Sequence, residues 1–296
     1  MRFDRLATVG MAAPLERVLR PFVAQARTRT LPILMYHSIS DDPESATHPY
    51  FRVCASPARF AEHMGWLSEM GFTGVTLSEA LAWLLAGAPS TGAPLPVALT
   101  FDDGFRDFHS AAFPVLRRHG FSASMYLSTG FVSEPRKAFK SRDCLTWGEV
   151  RELHAEGVEF GSHTVSHPRL VELPWASIER ELIDSRTAIE QALGAPVRSF
   201  AYPYAFPQAE TAFAARLCGM LSEAGYRSCV TTRIGIARSG GDLMRLPRLP
   251  ANSDDDRQLF AAKLSGAYNW LAAPQALAKT LSSYLRPSRR PLTVRT

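Results

Sequence analysis

Long hydrophobic runs are missing from this sequence. None of its 296 residues fall in a stretch approaching the roughly 20 apolar side chains that cross a bilayer; the longest candidate, Ala80 to Ala88, suits a buried helix. Cysteine is scarce and scattered. Cys54, Cys144, Cys218 and Cys229 include no C-x-x-C pair, which excludes a zinc-finger or dithiol redox motif. So few thiols in so long a chain make no disulfide framework, and they are expected to be free and buried in a reducing compartment. The first residues are not expected to form a secretory leader: Asp4 interrupts Arg2 and Arg5, and Thr8 and Gly10 break the weak apolar stretch from Leu6 to Ala13. These absences make a cytoplasmic location the expectation. With no internal repeat and no low-complexity linker, one α/β domain with short appendages is expected in place of two domains.

Charge is present but unevenly placed. The chain carries +5 overall. Residues 1–30 hold six Arg against Asp4 and Glu16, giving +4, and residues 273–296 hold Lys279, Arg286, Arg289, Arg290 and Arg295 with no acid, giving +5. The body between them is therefore at −4. Both ends are also amphipathic. Leu15, Val18, Leu19, Phe22 and Val23 follow a helical stripe with Arg17 and Arg20 off it, although Pro21 interrupts; Leu277, Leu281, Tyr284 and Leu285 repeat the pattern before Pro287. Two outcomes stay open: the ends pack on the body with solvated arginines, or they lie on an anionic membrane surface. Nucleic acid is not an expected partner, because the ends lack interleaved aromatics and the body is acidic. The chain is expected to divide into a basic amphipathic arm (1–30), a single main domain (31–265) and a basic amphipathic tail (266–296).

Within the body, apolar runs alternate with helical patterns. Strands are expected at Pro32–Tyr36, Val97–Phe101, Ser124–Leu127, Val158–Phe160, Ser199–Tyr202 and Ser228–Thr231. Helices are expected at Pro57–Met70, Ala111–Arg118, Thr146–Ala155, Pro174–Leu193 and Phe213–Ala224, several closed by glycine. Such alternation makes a parallel sheet covered by helices, with polar chemistry at the C-terminal ends of strands.

Four polar clusters fall at those ends: Tyr36-His37-Ser38, Asp102-Asp103-Gly104, His163-Thr-Val-Ser-His167 and Tyr202-Pro203-Tyr204. Adjacent aspartates at a strand end point to different sides, so one can bind a metal while its neighbour handles protons. Gly104 permits the sharp turn after them. His163 and His167 are four residues apart, the spacing that puts two imidazoles on one face of a helical turn. Two histidines and one carboxylate form a catalytic metal set with an open position. Each cluster alone is also explained by an acidic turn or by surface histidines; their coincidence at one rim is what points to chemistry.

Thr100-Phe-Asp-Asp-Gly104 with Ser162-His-Thr-Val-Ser-His167 resembles the first two motifs of the polysaccharide deacetylases, carbohydrate esterase family 4. Leu34-Met-Tyr-His37, Leu145-Thr-Trp147 and Glu156-Gly-Val-Glu-Phe-Gly161 agree with it, so that the resemblance runs over residues 31–250. It implies an α/β fold, a distorted (β/α) barrel of about seven strands, with a single catalytic domain and helical N- and C-terminal extensions. The implied activity is metal-dependent hydrolysis of an N-acyl group, usually acetyl, from an amino sugar in a glycan or glycolipid. The family pattern makes Asp103, His163 and His167 the metal ligands, Asp102 the general base and the Tyr204 N–H an oxyanion donor. Zn²⁺ suits that ligand set, and Co²⁺, Ni²⁺ or Mn²⁺ would also be accepted.

The sequence departs from the family in three places. The classical Leu-x-His motif that supplies the general acid is absent, since the last histidine is His167. Circularly permuted members use a tyrosine-histidine motif on the first strand, and by that resemblance His37 is the expected acid. The third motif normally carries an arginine that orients the base, whereas Phe200-Ala-Tyr-Pro203 has Ala201 there; Arg248 or Arg245 is the candidate replacement. Ala205 follows Tyr204 where many relatives have glycine. These departures motivate an alternative, a catalytically inactive carbohydrate-binding protein on the same scaffold. Retention of a metal set beside a free base opposes it. The expected partner is an N-acylated amino sugar; the expectation of no leader, with the basic ends, favours a small or lipid-linked glycan over a secreted polymer.

Overall fold

Seven of the apolar runs close on themselves. The strands are β1 (Ile33–Tyr36), β2 (Phe72–Val75), β3 (Leu95–Phe101), β4 (Ser124–Leu127), β5 (Glu159–Ser162), β6 (Ser199–Ala201), β7 (Ser228–Ile234) and β8 (Leu246–Pro250). In the computed structural model, which describes residues 3–12, 29–44, 46–48, 51–86 and 94–275, every neighbour in this sheet is parallel. β1 pairs with both β3 and β8, and the ring runs β1-β3-β4-β5-β6-β7-β8 back to β1. β2 stands outside the ring, paired with the first half of β3. The (β/α) barrel expected from the motifs is the fold.

Helices α1 (Pro57–Glu69), α2 (Leu77–Leu85), α3 (Phe113–His119), α4 (Trp147–Ala155), α5 (Trp175–Leu193) and α6 (Thr211–Glu223) follow successive strands, and α7 (Arg257–Ser265) follows β8. Their starts are written locally. Ser56 caps α1 with Pro57 in its first turn, and Thr76 with Glu79 and Thr146 with Glu149 form capping boxes on α2 and α4. Each cap satisfies amides the helix cannot, typically stabilising by about 1 kcal/mol.

The period of two sorts the strand side chains. Leu34, Tyr36, Leu99, Phe101, Met125, Leu127, Phe160, Phe200 and Leu249 face outward into the main core beneath the helices. Ile33, Ala98, Tyr126, Ala201, Val230 and Leu246 form a smaller inner cluster, closed at the bottom by Leu77, Ala80, Leu81 and Leu84 of α2. Gly161 is obligatory inside the barrel, because a Cβ there would lie 2.4 Å from the Tyr126 ring and 2.7 Å from Ser199 Oγ. The barrel is thus packed through, leaving chemistry to its upper rim.

Two strands of the sheet, β2 and β8, are not marked by the local sequence pattern. Phe72-Thr-Gly-Val75 is short and contains glycine, while Leu246-Pro-Arg-Leu-Pro250 carries two prolines and an arginine, all unusual in a central strand. β8 accommodates them by an irregular ladder: Val230 pairs with Leu246, but Ile234 with Arg248. Residues 3–12 pack on the body, where Tyr268 donates to Asp4 Oδ2 at 2.7 Å and Trp270 Nε1 to Thr8 Oγ1 at 3.0 Å. The amphipathic stretches Leu15–Val23 and Leu277–Leu285 lie outside the described residues. Among those described, no helix is long and apolar enough to cross a membrane. All four cysteines are free, and only Cys218 is not fully buried.

Candidate functional site

Strand β3 ends in two carboxylates that part company at once. The Asp102 N–H still donates to the Tyr36 carbonyl at 3.0 Å, so its side chain continues the inward alternation. Asp103 then turns into the left-handed region at φ 75°, followed by Gly104 at φ 72°. The left-handed φ favours glycine at 104, where a Cβ would also crowd Leu127 Cδ2 at 2.9 Å. Asp102 meets Arg248 of β8 in a buried fork: Nη1 to Oδ1 and Nη2 to Oδ2, both at 2.7 Å. Arg248 is itself held by the Thr231 carbonyl at 3.0 Å and by Thr100 Oγ1 at 3.2 Å. Burial would raise the Asp102 carboxyl, but the Arg248 guanidinium, with His163 and His37, brings it below its ordinary value. Of the two arginines proposed to replace the missing one at Ala201, Arg248 is in place. Arg245 lies instead against Asp242 and Cys218.

The histidines reach the site differently from the helical turn their spacing suggests. β5 ends at Ser162, and residues 163–167 form an irregular loop with Thr164 at φ 72° and His167 at φ 54°. For a β-branched residue such as Thr164 that conformation costs on the order of 1–3 kcal/mol, so neighbours must impose it. They do. Thr164 Oγ1 donates to the His163 carbonyl and accepts from the His167 N–H, while Gly130 N–H donates to the Val165 carbonyl at 2.8 Å. Glu181 of α5 receives Val165 N–H, Ser166 N–H and Ser166 Oγ. A clamped loop, not a helix, brings the two rings to a centroid separation of 4.8 Å.

Asp103, His163 and His167 are the described residues whose ligand atoms come close enough to share a metal, all within 4.8 Å of one another and all buried. His163 Nδ1 lies 2.7 Å from the Ala201 carbonyl, which can only accept, so the proton is on Nδ1 and a bare lone pair on Nε2. Burial lowers His163 to about 4, keeping the ring neutral near pH 7. That lone pair faces Asp103 Oδ1 at 3.5 Å, and His167 Nε2 faces the same oxygen at 3.2 Å. Asp103 Oδ1 nevertheless has no hydrogen-bond partner of acceptable geometry. A buried carboxylate oxygen facing the bare lone pair of His163 is unfavourable unless a cation sits between them. Ligands held about 2.1 Å from a tetrahedral ion stand about 3.4 Å apart, close to the 3.5 and 3.2 Å found between Asp103 Oδ1 and the two histidines. These residues fit a divalent metal.

His37 follows β1 and places Nε2 3.8 Å from Asp102 Oδ2, with its side chain 18% exposed. Burial lowers its pKa, partly offset by Asp102 and Asp103. Tyr204, at φ 58°, is 40% exposed and stands edge-on to His167 at 4.5 Å. Its N–H donates to no acceptor among the described residues, while its carbonyl accepts from Thr232 Oγ1 at 3.0 Å. All six residues picked out in the sequence therefore gather at one rim. The sequence did not reveal Lys140, whose Nζ lies 3.1 Å from Asp103 Oδ2. Nothing in Phe139-Lys-Ser-Arg142 marks it out, because only the hairpin's fold over the rim brings it there.

Comparison with known proteins bears on this geometry. The family described as "Polysaccharide deacetylase" matches residues 90–222. YxkH of Bacillus subtilis, a protein assigned by name to the polysaccharide deacetylases, is 29% identical over 233 residues, covering 78% of this chain and 75% of its own. The poly-beta-1,6-N-acetyl-D-glucosamine N-deacetylase of Escherichia coli K12 is 32% identical over 143 residues, or 44% of this chain and 20% of that protein. Among solved structures, the Streptococcus pyogenes deacetylase PplD in complex with acetate superposes with a TM-score of 0.66 at 25% identity, covering 80% of this chain and 98% of that one. IcaB from Ammonifex degensii shares the fold with a TM-score of 0.64, at 24% identity over 79% of this chain and 97% of its own.

Proposed function

This chain belongs to the polysaccharide deacetylase family, and from that premise we propose the chemistry its rim performs: hydrolytic removal of an N-acyl group, acetyl in the first instance, from an amino sugar. The observation that carries the reading is the convergence of His163, His167 and Asp103 Oδ1 within reach of one ion, beside an ionised, arginine-locked Asp102. Asp103, His163 and His167 would hold a divalent ion, Zn²⁺ being the first choice by donor set. When bound, that ion polarises the amide carbonyl and favours the attacking water's loss of a proton.

The chain's own groups do the rest. Asp102, ionised and fixed in orientation by Arg248, accepts the proton from the attacking water. The Tyr204 N–H, turned out by its positive φ, donates to the oxygen on which negative charge develops. His37, close to Asp102 and partly open to solvent, delivers a proton to the departing amine. The inactive-lectin alternative has no support in this arrangement, since Arg248 fills the role left by Ala201. Acetate release from N-acetylglucosamine oligomers tests the reading. Full-length protein should lose the activity on chelation by at least ~10²-fold and regain it with Zn²⁺ or Co²⁺. Turnover that persists in the chelated, metal-free protein would remove the metal from the reaction.

We also propose that the substrate is lipid-linked and met at an anionic membrane surface on the cytoplasmic side. The support is the placement of charge in the sequence, +4 in residues 1–30 and +5 in residues 273–296 around an acidic body. Flotation with anionic vesicles is expected to carry the protein upward at low salt and to fail with neutral vesicles. Equal flotation with both, or with neither, counts against the membrane.

A further inference from the structure

Asp103 uses its two oxygens differently. Oδ1 points at the imidazoles and accepts no sound hydrogen bond, whereas Oδ2 accepts from Lys140 at 3.1 Å. Lys140 is 42% exposed at the side chain, while Asp103 is buried. The lysine sits at the tip of a hairpin pairing Ala138–Phe139 with Arg142–Asp143, and Lys140 and Ser141 adopt φ 50° and 63°, as a tight turn requires.

The hairpin is built onto the site. Phe139 stacks on Phe131 at 4.3 Å and lies 5.1 Å from the His167 ring. Arg142 lies over Phe105 and pairs with Asp42 at 2.5 Å. Arg136 ties the strand's approach to Glu149 on α4 and to the Cys144 carbonyl. The ammonium itself lies 4.5 Å from the Phe139 ring and 5.7 Å from that of Tyr204, so aromatic faces as well as the carboxylate hold it.

We propose that Lys140 is a positioning residue that sets the metal affinity of the site by competing with the ion for Asp103. This inference rests on the metal-centre reading above and goes beyond it. Lys140 holds Oδ2, so Asp103 offers the ion a single oxygen, already aimed between the histidines. It also places a positive charge one carboxylate away from the ion. Like charges at that distance repel, and partial burial reduces screening by water. The hydrogen bond pre-orients the ligand and the charge weakens the hold; charge prevails, because the turn at Gly104 and the buried surroundings already fix Asp103.

Chelator competition on the full chain reads the Zn²⁺ affinity directly, with no need for activity. Lys140→Met keeps the stem and deletes the charge, and it is expected to bind Zn²⁺ about tenfold more tightly at low salt. The gap should close near about 1 M salt, where the Debye length is ~3 Å, and Lys140→Arg should restore the wild-type affinity. A merely structural role would give neither the salt dependence nor the rescue. Equal or weaker binding by Lys140→Met, with its circular dichroism unchanged and wild type binding Zn²⁺, overturns the inference alone. A wild-type protein that binds no Zn²⁺ overturns the metal-centre reading together with it.

Discussion

Asp102→Asn should retain its metal and lose nearly all turnover. The substitution leaves Asp103, His163 and His167 untouched, so metal content per chain is expected to match wild type. Asparagine can occupy the same volume and still accept from Arg248, but it cannot take up a proton. General-base catalysis contributes on the order of 10²–10⁴-fold, and kcat should fall by that amount while KM changes little. The variant carries a second penalty. The Arg248 side chain is fully buried, and without the aspartate its charge has no counter-ion in the fork. Melting should therefore drop by several degrees, and kcat must be read well below the new midpoint. Metal analysis, melting and initial rates on one preparation separate these effects. A folded, metal-loaded Asp102→Asn protein that still turns over within a few-fold of wild type would show that another group accepts the proton.

What the sequence made legible follows from how local each signal is. Helix starts were readable because a cap and its partner lie three residues apart, as Thr146 and Glu149 do. The aspartate and histidine motifs were readable because each is contiguous and each follows a strand whose alternation sends the residue after it inward. The geometry between motifs was less so. The spacing of His163 and His167 suggested a helical turn, but the loop is held by Thr164, Gly130 and Glu181, contacts drawn from three separate segments. β8 was placed on a strand only by way of Arg248 and not by its local pattern, because two prolines and an arginine break the local rules for a central strand; a closed ring supplies the partners that make it one. Lys140 belongs to the same class. Its position depends on a hairpin folding over a rim made of residues both before and after it in the chain.

Arg248 is where such non-local dependence should show most strongly in experiment. Replacing it with methionine leaves Asp102 buried and without its two 2.7 Å donors. Breaking a buried pair from one side typically costs about 3–5 kcal/mol, which in a chain of this size lowers the melting temperature by roughly 10 °C. Activity should fall by about 10²-fold or more, because the base loses the fork that fixes its orientation. Arg248→Lys keeps the charge but cannot make two parallel bonds to one carboxylate, so it should recover stability better than rate. The paired variant Asp102→Asn/Arg248→Met discriminates further. If the two side chains act chiefly on each other, removing both charges should destabilise less than Arg248→Met alone, since no unpaired ion is left in the barrel. Simple additivity of the two losses in melting would instead mean that Arg248 stabilises through Thr231 and Thr100, to which it also donates, and that the base is oriented by something else.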